Sequence, residues 1–581
     1  MSQGPNAAIL FEPSAFDAKQ PMVKGRHVAG ASFLDGFVRH AEVDRYVGCA
    51  MRRDHGPAFV RQIQDTVADT PEFAARPIDV VQANDPFAIA RHGCLHVADP
   101  SLPRYAWRRR YVGQRAFSIT GITHTISSER VMEMLTDYLI APVQSWDALI
   151  CTSASVRAAV QRIQDDMAAY METRTGASPR QPAQLPVIPL GVDAERFASL
   201  GSNDGAGQFL RQRLGIAEND IAVLFFGRLT LHAKAHPSPM YQAMQRAADM
   251  ARPHDGGRLH LIMTGQFSSD GIERYYRDAV TPLCPDVPVH FVDGADPNLA
   301  GASWAAADIF LSLSDNIQES FGITPVEAMA AGLPCVVSDW DGYRDTVVEG
   351  ETGFRVPSWL PPAGAGAGLA AKYGLGNMSY DRFIGYVSLM TAVEIEPVAR
   401  AIDALARDPG RRRAMAVAGQ DRARTVYDWS VIIPQYQALW GELAARRSKD
   451  AENAPPGQRG VNPLAPDPVN VFAGHATETL SFEHRIRRTM TLGEIDSLFD
   501  VEAHVYGAEA FLDRKMTRAL AACFEGAPIS VNQALETMPS DRRVVAARTL
   551  LWMAKFGAVT FEAPSGAVES KHQASTEESR S

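Results

Sequence analysis

The chain has 581 residues, of which 46% are hydrophobic and 21% charged, and its formal net charge is −10. This length predicts several domains, and the acidic balance disfavours nucleic-acid binding, which needs a basic surface. Six cysteines without a CxxC pair disfavour a zinc site and suit a reducing compartment. With neither a signal-peptide pattern nor an apolar run of about 18 residues, the sequence predicts a cytoplasmic protein, touching a membrane at most peripherally.

The N-terminal part alternates short apolar runs with helical patterns. The residues AAILFEP (7–13) predict a buried strand, followed by a long loop and a helix over about Ala31–Ala41. Further strands are predicted over 78–84, 94–100, 116–122 and 147–153. Continuous apolar strands separated by helices are typical of a parallel sheet covered on both faces.

A second series of the same kind follows residues 185–197, where prolines and Gly191 interrupt regular structure. Its strands are predicted over 221–229, 258–265, 289–294, 308–314 and 334–339. The sequence therefore predicts an α/β protein with two doubly wound domains. Such domains bind ligands at the carboxyl ends of their strands, so two facing domains would hold a ligand in the cleft between them.

The remaining chain divides by composition. We predict an N-terminal domain over 1–188 and a second domain over 189–447, interrupted by a Gly/Ala/Pro-rich insertion at 358–393. A polar linker (448–468), a small helical module (469–564) and a disordered tail (565–581) follow. The last helix-then-strand pattern of the module suggests a winged-helix-like unit.

The segment ESFGITPVEAMAAGLP (319–334) carries two glutamates across a loop that enters a helix. Glu319 follows a predicted strand, and Glu327 is expected in the first turn of a helix that begins near Pro325. The free amides and dipole of that helix suit a diphosphate. Glu327 could accept two vicinal hydroxyls of a ribose, and Glu319 a different set of hydroxyls. The spacing favours a nucleotide-sugar site over an acid/base pair.

The residues from Glu319 to Phe354 resemble the signature of the retaining glycosyltransferases of family 4, which have the GT-B fold of two facing Rossmann-like domains. Three other segments are similar to the family: FFGRLTLHAKAH (225–236), VIPLGVDAERF (187–197) and DWSVIIPQYQALW (428–440). The resemblance covers about 7–357 and 394–447. Two positions depart from the pattern, since Ser320 replaces the usual Gly and Leu190 the usual Asn.

The resemblance implies a role for each matching residue. Arg228 and Lys234 would hold the donor diphosphate and stabilise it as it leaves, while Glu319 would bind the transferred sugar and Glu327 the ribose. His124 would face the sugar from the N-terminal domain. The implied donor-binding loop and the glycine near the first strand add Ser320, Phe321, Gly322, Ile323, Thr324 and Gly30.

The implied activity is sugar transfer, with retained configuration, from a nucleotide-diphosphate-sugar to a glycan or lipid-linked acceptor. No cofactor is implied, and without a DxD-type motif metal-independent transfer is expected. The alternative is a catalytically weak scaffold whose C-terminal module recruits partners or forms a homo-oligomer. That module (466–564) carries 10 Lys and Arg against 13 Asp and Glu, which disfavours DNA reading. The basic segment RYAWRRRYVGQR (104–115) predicts either a solvated face or a contact with an anionic lipid-linked acceptor or membrane.

Overall fold

The computed structural model describes residues 4–17, 25–68, 70–251, 257–452 and 462–563. It divides the chain into two compact units, Met1–Asn462 and Pro463–Ser581. The predicted tail and residues 453–461 of the predicted linker lie outside the described residues.

The N-terminal domain is built on a six-stranded parallel sheet with the order β3-β2-β1-β4-β5-β6. The strand Tyr46–Ala50 is absent from the sequence prediction, because its five residues show no distinct strand pattern. The strands are β1 (Ala8–Phe11), β2 (Tyr46–Ala50), β3 (Ile78–Gln82), β4 (Cys94–Val97), β5 (Ser118–Ile122) and β6 (Ala148–Ile150).

Helices cover both faces of this sheet, and two separate clusters of buried apolar side chains fill the two interfaces. They are α1 (Gly25–His40), α2 (His55–Thr66), α3 (Pro71–Ala74), α4 (Pro86–Ala90), α5 (Leu102–Arg109), α6 (Glu129–Thr136) and α7 (Ala154–Thr175). The first helix starts at Gly25, six residues before the predicted start, so the predicted loop is shorter.

The second domain repeats this topology with a parallel sheet of order β12-β11-β10-β7-β8-β9. Both sheets have the doubly wound order in which the chain reverses direction beside the first strand. The strands are β7 (Ile221–Phe226), β8 (Leu259–Gly265), β9 (Val289–Asp293), β10 (Ile309–Ser312), β11 (Cys335–Ser338) and β12 (Gly353–Val356). The last of them is not among the predicted strands.

The helices of the second domain include those of the insertion and the long closing helix. They are α8 (Ala194–Gly201), α9 (Asp204–Leu214), α10 (Pro237–Ala251), α11 (Asp270–Asp278), α12 (Val280–Leu283), α13 (Pro297–Ala306), α14 (Ile323–Ala330), α15 (Tyr343–Thr346), α16 (Ala367–Gly374), α17 (Tyr380–Leu389), α18 (Ile395–Arg407), α19 (Pro409–Arg422) and α20 (Trp429–Lys449). No helix among the described residues has the length and hydropathy needed to span a membrane.

The chain crosses between the two domains twice, and the crossings lie side by side. Val192 accepts a hydrogen bond from the Trp429 amide (3.1 Å) and donates one to the Tyr427 carbonyl (2.8 Å). Beyond this point α20 returns to the N-terminal domain, where the Trp440 indole donates to Thr120 Oγ1 (3.2 Å). Two facing doubly wound domains joined in this way confirm the predicted GT-B fold.

The insertion forms a small substructure of its own. An antiparallel pair, β13 (Ser358–Trp359) and β14 (Ala392–Val393), closes its base, and α16 and α17 lie between these strands. It therefore leaves the sheet after β12 and returns to α18 without changing the strand order.

The second unit contains a three-stranded antiparallel sheet and short helices around one apolar cluster. The predicted final helix and strand are present as Arg543–Lys555 and Val559–Glu562; likeness to a winged helix stays a prediction. Its elements are α21 (Pro468–Val471), β15 (Arg485–Arg488), α22 (Leu492–Leu498), α23 (Glu502–Val505), α24 (Arg514–Ala522), β16 (Ile529–Ser530), α25 (Val531–Glu536), α26 (Arg543–Lys555) and β17 (Val559–Glu562).

The basic segment 104–115 is only partly a solvated face. Arg109 is fully buried, and its Nη2 donates to Asp147 Oδ2 at 2.7 Å. Arg115 is engaged with the end of α20, where it donates to the Asp450 carbonyl. Both arginines are engaged in contacts within the first unit, which leaves fewer charges for a membrane or lipid contact.

The domain crossing yields a stability prediction. A Cβ at Gly191 would collide with the buried indole of Trp429, so Gly191→Ala should destabilise the first unit by about 2 kcal/mol. Urea unfolding followed by tryptophan fluorescence would measure this. Gly368→Ala is the matched control, because a Cβ there meets open space within α16; a loss of stability similar to that of Gly191→Ala would contradict the packing argument.

Candidate active site

The candidate site lies where β7 and β10 run side by side in the centre of the second sheet. The strands that follow these two in the chain are added on opposite sides, which opens a crevice at their carboxyl ends. The loop after β7 carries Arg228 and Lys234, and the loop after β10 carries Glu319. Two segments separated by about 85 residues thus meet at one point of the fold.

Lys234 and Glu319 form an ion pair in this crevice. Lys234 Nζ lies 2.8 Å from Glu319 Oε2, and the two side chains are only 14% and 15% exposed. Burial acts against both charges, but it is outweighed for Lys234 by Glu319 together with Tyr343, and for Glu319 by Lys234 together with the Ser320 and Gly322 amides. The pKa of Lys234 is therefore raised and the pKa of Glu319 is lowered. Both groups are charged at neutral pH.

The backbone of the Lys234 loop is fixed by the chain that follows β10. The Asn316 side-chain amide donates to the Lys234 carbonyl at 2.7 Å, and the His236 amide donates to Asp315 Oδ2 at 3.2 Å. Burial raises the pKa of Asp315 to about 7, although the Ser388 hydroxyl donates to it at 2.9 Å. Ser388 belongs to the insertion, which is therefore anchored to the same loop.

The helix α14 begins at the site with a glycine in place of a side-chain cap. Gly322 has a φ of 76°, and a Cβ at this position would collide with the Tyr343 ring. Thr324 lies within the first turn, and the preceding Phe321 is buried. With no capping side chain in the way, the first amides of α14 are positioned for an anion.

Glu327 lies in the second turn of α14, because the helix begins at Ile323 instead of near Pro325. The prediction of a first-turn glutamate was therefore wrong. Burial raises the pKa of Glu327 to about 7, against the opposing charges of Lys234 and Arg196. Arg196, from α8, lies in the segment 187–197 that resembles the family, but the resemblance gave it no role.

Arg228 is exposed and directly follows Gly227, the first residue after β7. Its positive charge acts on Lys234 and on the Tyr380 hydroxyl of the insertion. The structure thus brings Arg228, Lys234, Glu319 and Glu327 into one electrostatically coupled group.

The N-terminal domain contacts this group through the segment after β5. His124 lies in that segment, and the neighbouring Thr125 donates from Oγ1 to the Gln318 carbonyl at 3.1 Å. Ser153, at the start of α7, places its Oγ 2.9 Å from the Ser320 carbonyl oxygen. Both contacts flank Glu319, so the structure places His124 beside the loop that carries Glu319.

Gly30 is the glycine near the first strand for which the resemblance implied donor binding. It lies inside α1, where a Cβ would collide with the carbonyl oxygen of Ala15. Its lack of a side chain allows close packing of α1 on the turn after β1. Its predicted ligand-binding role stays a prediction.

Asp341 is a site residue that the sequence does not single out. It has a φ of 44°, a left-handed conformation that Asp tolerates better than most residues, and its Oδ1 lies 3.2 Å from Ser153 Oγ. Burial and the nearby Glu319 raise its pKa to about 8. Among the described residues, no group of three or more His, Cys, Asp or Glu side chains could hold a metal ion.

The fold and the site together define a GT-B architecture with a candidate anion site in its second domain. The segment 208–360 matches the family model described as glycosyl transferases group 1. This segment runs from α9 through Glu319 and Glu327 to the start of the insertion.

Curated relatives match a similar share of the chain. A D-inositol 3-phosphate glycosyltransferase of Corynebacterium glutamicum (strain R) is 31% identical over 186 residues, which are 32% of this chain and 43% of the relative. A phosphatidyl-myo-inositol mannosyltransferase of Mycobacterium leprae (strain TN) is 32% identical over 162 residues, 28% of this chain and 33% of the relative. The chain thus spans less than half the length of these two relatives.

Solved structures are similar over a larger share at low identity. HepE of Anabaena in complex with UDP is 17% identical with a TM-score of 0.47, covering 75% of this chain and 100% of that one. Sucrose-phosphate synthase of Thermosynechococcus elongatus is 18% identical with a TM-score of 0.44, covering 76% and 100%.

The buried ion pair yields a stability prediction. Lys234→Met leaves the Glu319 carboxylate without its partner in a site of low exposure, which should cost about 3 kcal/mol of unfolding free energy. The double variant Lys234→Met/Glu319→Leu removes both charges and should recover most of this loss. Urea unfolding measures both; a double variant less stable than the single one would contradict the account.

Proposed function

We propose that this chain is a glycosyltransferase that moves a sugar from a nucleotide-diphosphate-sugar to an acceptor, with retained configuration and without a metal ion. The observation that carries the proposal is the Lys234–Glu319 pair in the crevice between β7 and β10, beside the uncapped start of α14. The Lys234 cation and the first amides of α14 suit a diphosphate, and the carboxylates of Glu319 and Glu327 suit hydroxyl groups on either side of it. A nucleotide-diphosphate-sugar has this composition, with a diphosphate between two groups that carry hydroxyls.

In the proposed reaction the diphosphate lies against α14, and Arg228 and Lys234 approach it from the other side. Negative charge develops on the diphosphate as the sugar leaves, and fixed positive charge at that place lowers the barrier. Lys234 is held ready by Glu319, which turns to the hydroxyls of the bound sugar when Lys234 binds phosphate. Glu327 accepts hydrogen bonds from the ribose.

The acceptor enters from the side of the N-terminal domain, next to His124. The acceptor oxygen bonds to the anomeric carbon on the same face from which the diphosphate oxygen leaves, and the departing diphosphate takes the acceptor proton. No protein nucleophile is required. A glycan or a lipid-linked molecule is the proposed acceptor class. The names of the curated relatives add inositol 3-phosphate and phosphatidylinositol to the acceptors worth testing.

Donor turnover tests the proposal. Purified protein is incubated with UDP-, GDP- and ADP-sugars, with and without the acceptors named above, and released nucleotide is quantified. We expect one donor class to be used, and Lys234→Ala to lower its turnover by at least about 100-fold, the usual cost of losing such a charge. Glu327→Ala should raise the donor KM.

The matched controls are Lys449→Ala and Glu218→Ala, two exposed residues outside the site that should leave turnover unchanged. The proposal is overturned if no donor releases nucleotide and no nucleoside diphosphate raises the melting temperature. Turnover without loss in Lys234→Ala would overturn the assigned site.

The raised pKa of Glu327 predicts a pH-dependent donor affinity. Ribose hydroxyls are bound best by the ionised carboxylate, and below about pH 7 Glu327 becomes protonated. Donor affinity should therefore fall as the pH drops below about 7, by at most about tenfold per unit for one proton. Calorimetric titration of the donor from pH 5.5 to 8.5 measures this.

The variant Glu327→Gln distinguishes the titration of Glu327 from that of nearby carboxyl groups. Asp315 and Asp341, with pKa values of about 7 and about 8, titrate in the same range and remain in the variant. We expect the amide to bind more weakly at pH 8 and to lose the decline between pH 7 and 6. An unchanged pH profile would assign the dependence to one of the two aspartates.

A further inference from the structure

The insertion 358–393 packs directly on the two loops that form the donor crevice. Its apolar side chains Phe383 and Ile384 form a cluster with Ala233, the residue before Lys234. Ile317, two residues before Glu319, packs against the same cluster. The match to the family model ends at residue 360, so this substructure lies almost wholly outside it.

From this position the insertion reaches across to the N-terminal domain. The hydroxyl groups of Tyr380 and Ser127 share a hydrogen bond of 2.8 Å. Close by, the Tyr373 hydroxyl accepts a hydrogen bond from the Glu129 amide at 3.2 Å. Both partners belong to the segment after β5 that carries His124. The insertion is therefore bonded to both walls of the cleft.

Tyr380 and its helix are anchored by ring contacts and by a hydrogen bond. The neighbouring Tyr373 ring stacks on Phe383 with centroids 4.7 Å apart and lies 6.2 Å from the Tyr380 ring. Ser388, on the same helix as Tyr380, donates a hydrogen bond to Asp315, which also accepts one from the His236 amide of the Lys234 loop. The positive charge of Arg228 also acts on the Tyr380 hydroxyl.

We propose that Tyr380 is a positioning residue: its hydroxyl, bonded to Ser127, holds the His124 segment against the donor loops and so closes the cleft over the bound donor. The inference rests on the proposed function. If donor binds the closed arrangement better than an open one, any loss of the Tyr380–Ser127 bond lowers the closed fraction and with it the apparent donor affinity.

The test uses the full chain and the donor that the wild type turns over. Tyr380→Phe removes one hydroxyl and keeps the ring packing, and Ser127→Ala removes the other. We expect each variant to raise the donor KM about 3- to 10-fold, the effect of one hydrogen bond, with a smaller change in kcat. The double variant should show no more than the larger single effect, because both variants remove the same bond.

Tyr386→Phe is the control, since this tyrosine lies on the same helix and is 39% exposed. It should match the wild type. The melting temperatures of all variants without donor should agree with that of the wild type, which separates positioning from a general loss of fold.

Three results overturn the inference. A donor KM of Tyr380→Phe equal to that of the wild type, or fully additive effects of the two variants, overturns this role while the proposed function stands. Absence of donor turnover and of nucleoside-diphosphate binding in the wild type overturns the proposed function and this inference together.

Discussion

The ion pair between Lys234 and Glu319 is the interaction on which the candidate site depends. Neither charge could remain in so sheltered a place without the other, because a lone charge there is strongly disfavoured. The pair joins the loop after β7 to the loop after β10, and the second of these loops leads into α14 and binds Ser388 of the insertion. In the proposed function, the diphosphate of the donor replaces Glu319 as the partner of Lys234, so the pair both supports the two loops and occupies the proposed binding position.

The N-terminal domain contacts the surroundings of Glu319 through two sets of hydrogen bonds. On one side Ser153 and Asp341 bring the start of α7 to the loop that carries Glu319. On the other side Thr125 contacts Gln318, and the insertion adds Tyr380. Because Gln318 and Ser320, the two neighbours of Glu319, each accept a hydrogen bond from the N-terminal domain, movement of one domain against the other changes the surroundings of the candidate site.

Much of the fold could be predicted from local patterns, and the misses have physical causes. Most strands of both sheets were foreseen because buried parallel strands are continuous apolar runs. The strand Tyr46–Ala50 was missed because a run of five residues hardly differs from a buried helix segment. The sequence prediction placed the starts of two helices too far along the chain, since the helices begin at Gly25 and Ile323. Neither start is preceded by a Ser, Thr, Asp or Asn that would mark it.

The sequence by itself determined two doubly wound domains, the insertion within the second, and the candidate group Arg228, Lys234, Glu319 and Glu327, because these depend on periodicity and on a motif with characteristic spacing. Only the tertiary structure decided that Lys234 and Glu319 pair, that Arg109 is buried and that Gly30 is a packing contact. It also revealed Arg196, Asp341 and Tyr380. Those features arise from contacts between segments far apart in the chain, and such contacts leave no pattern along it.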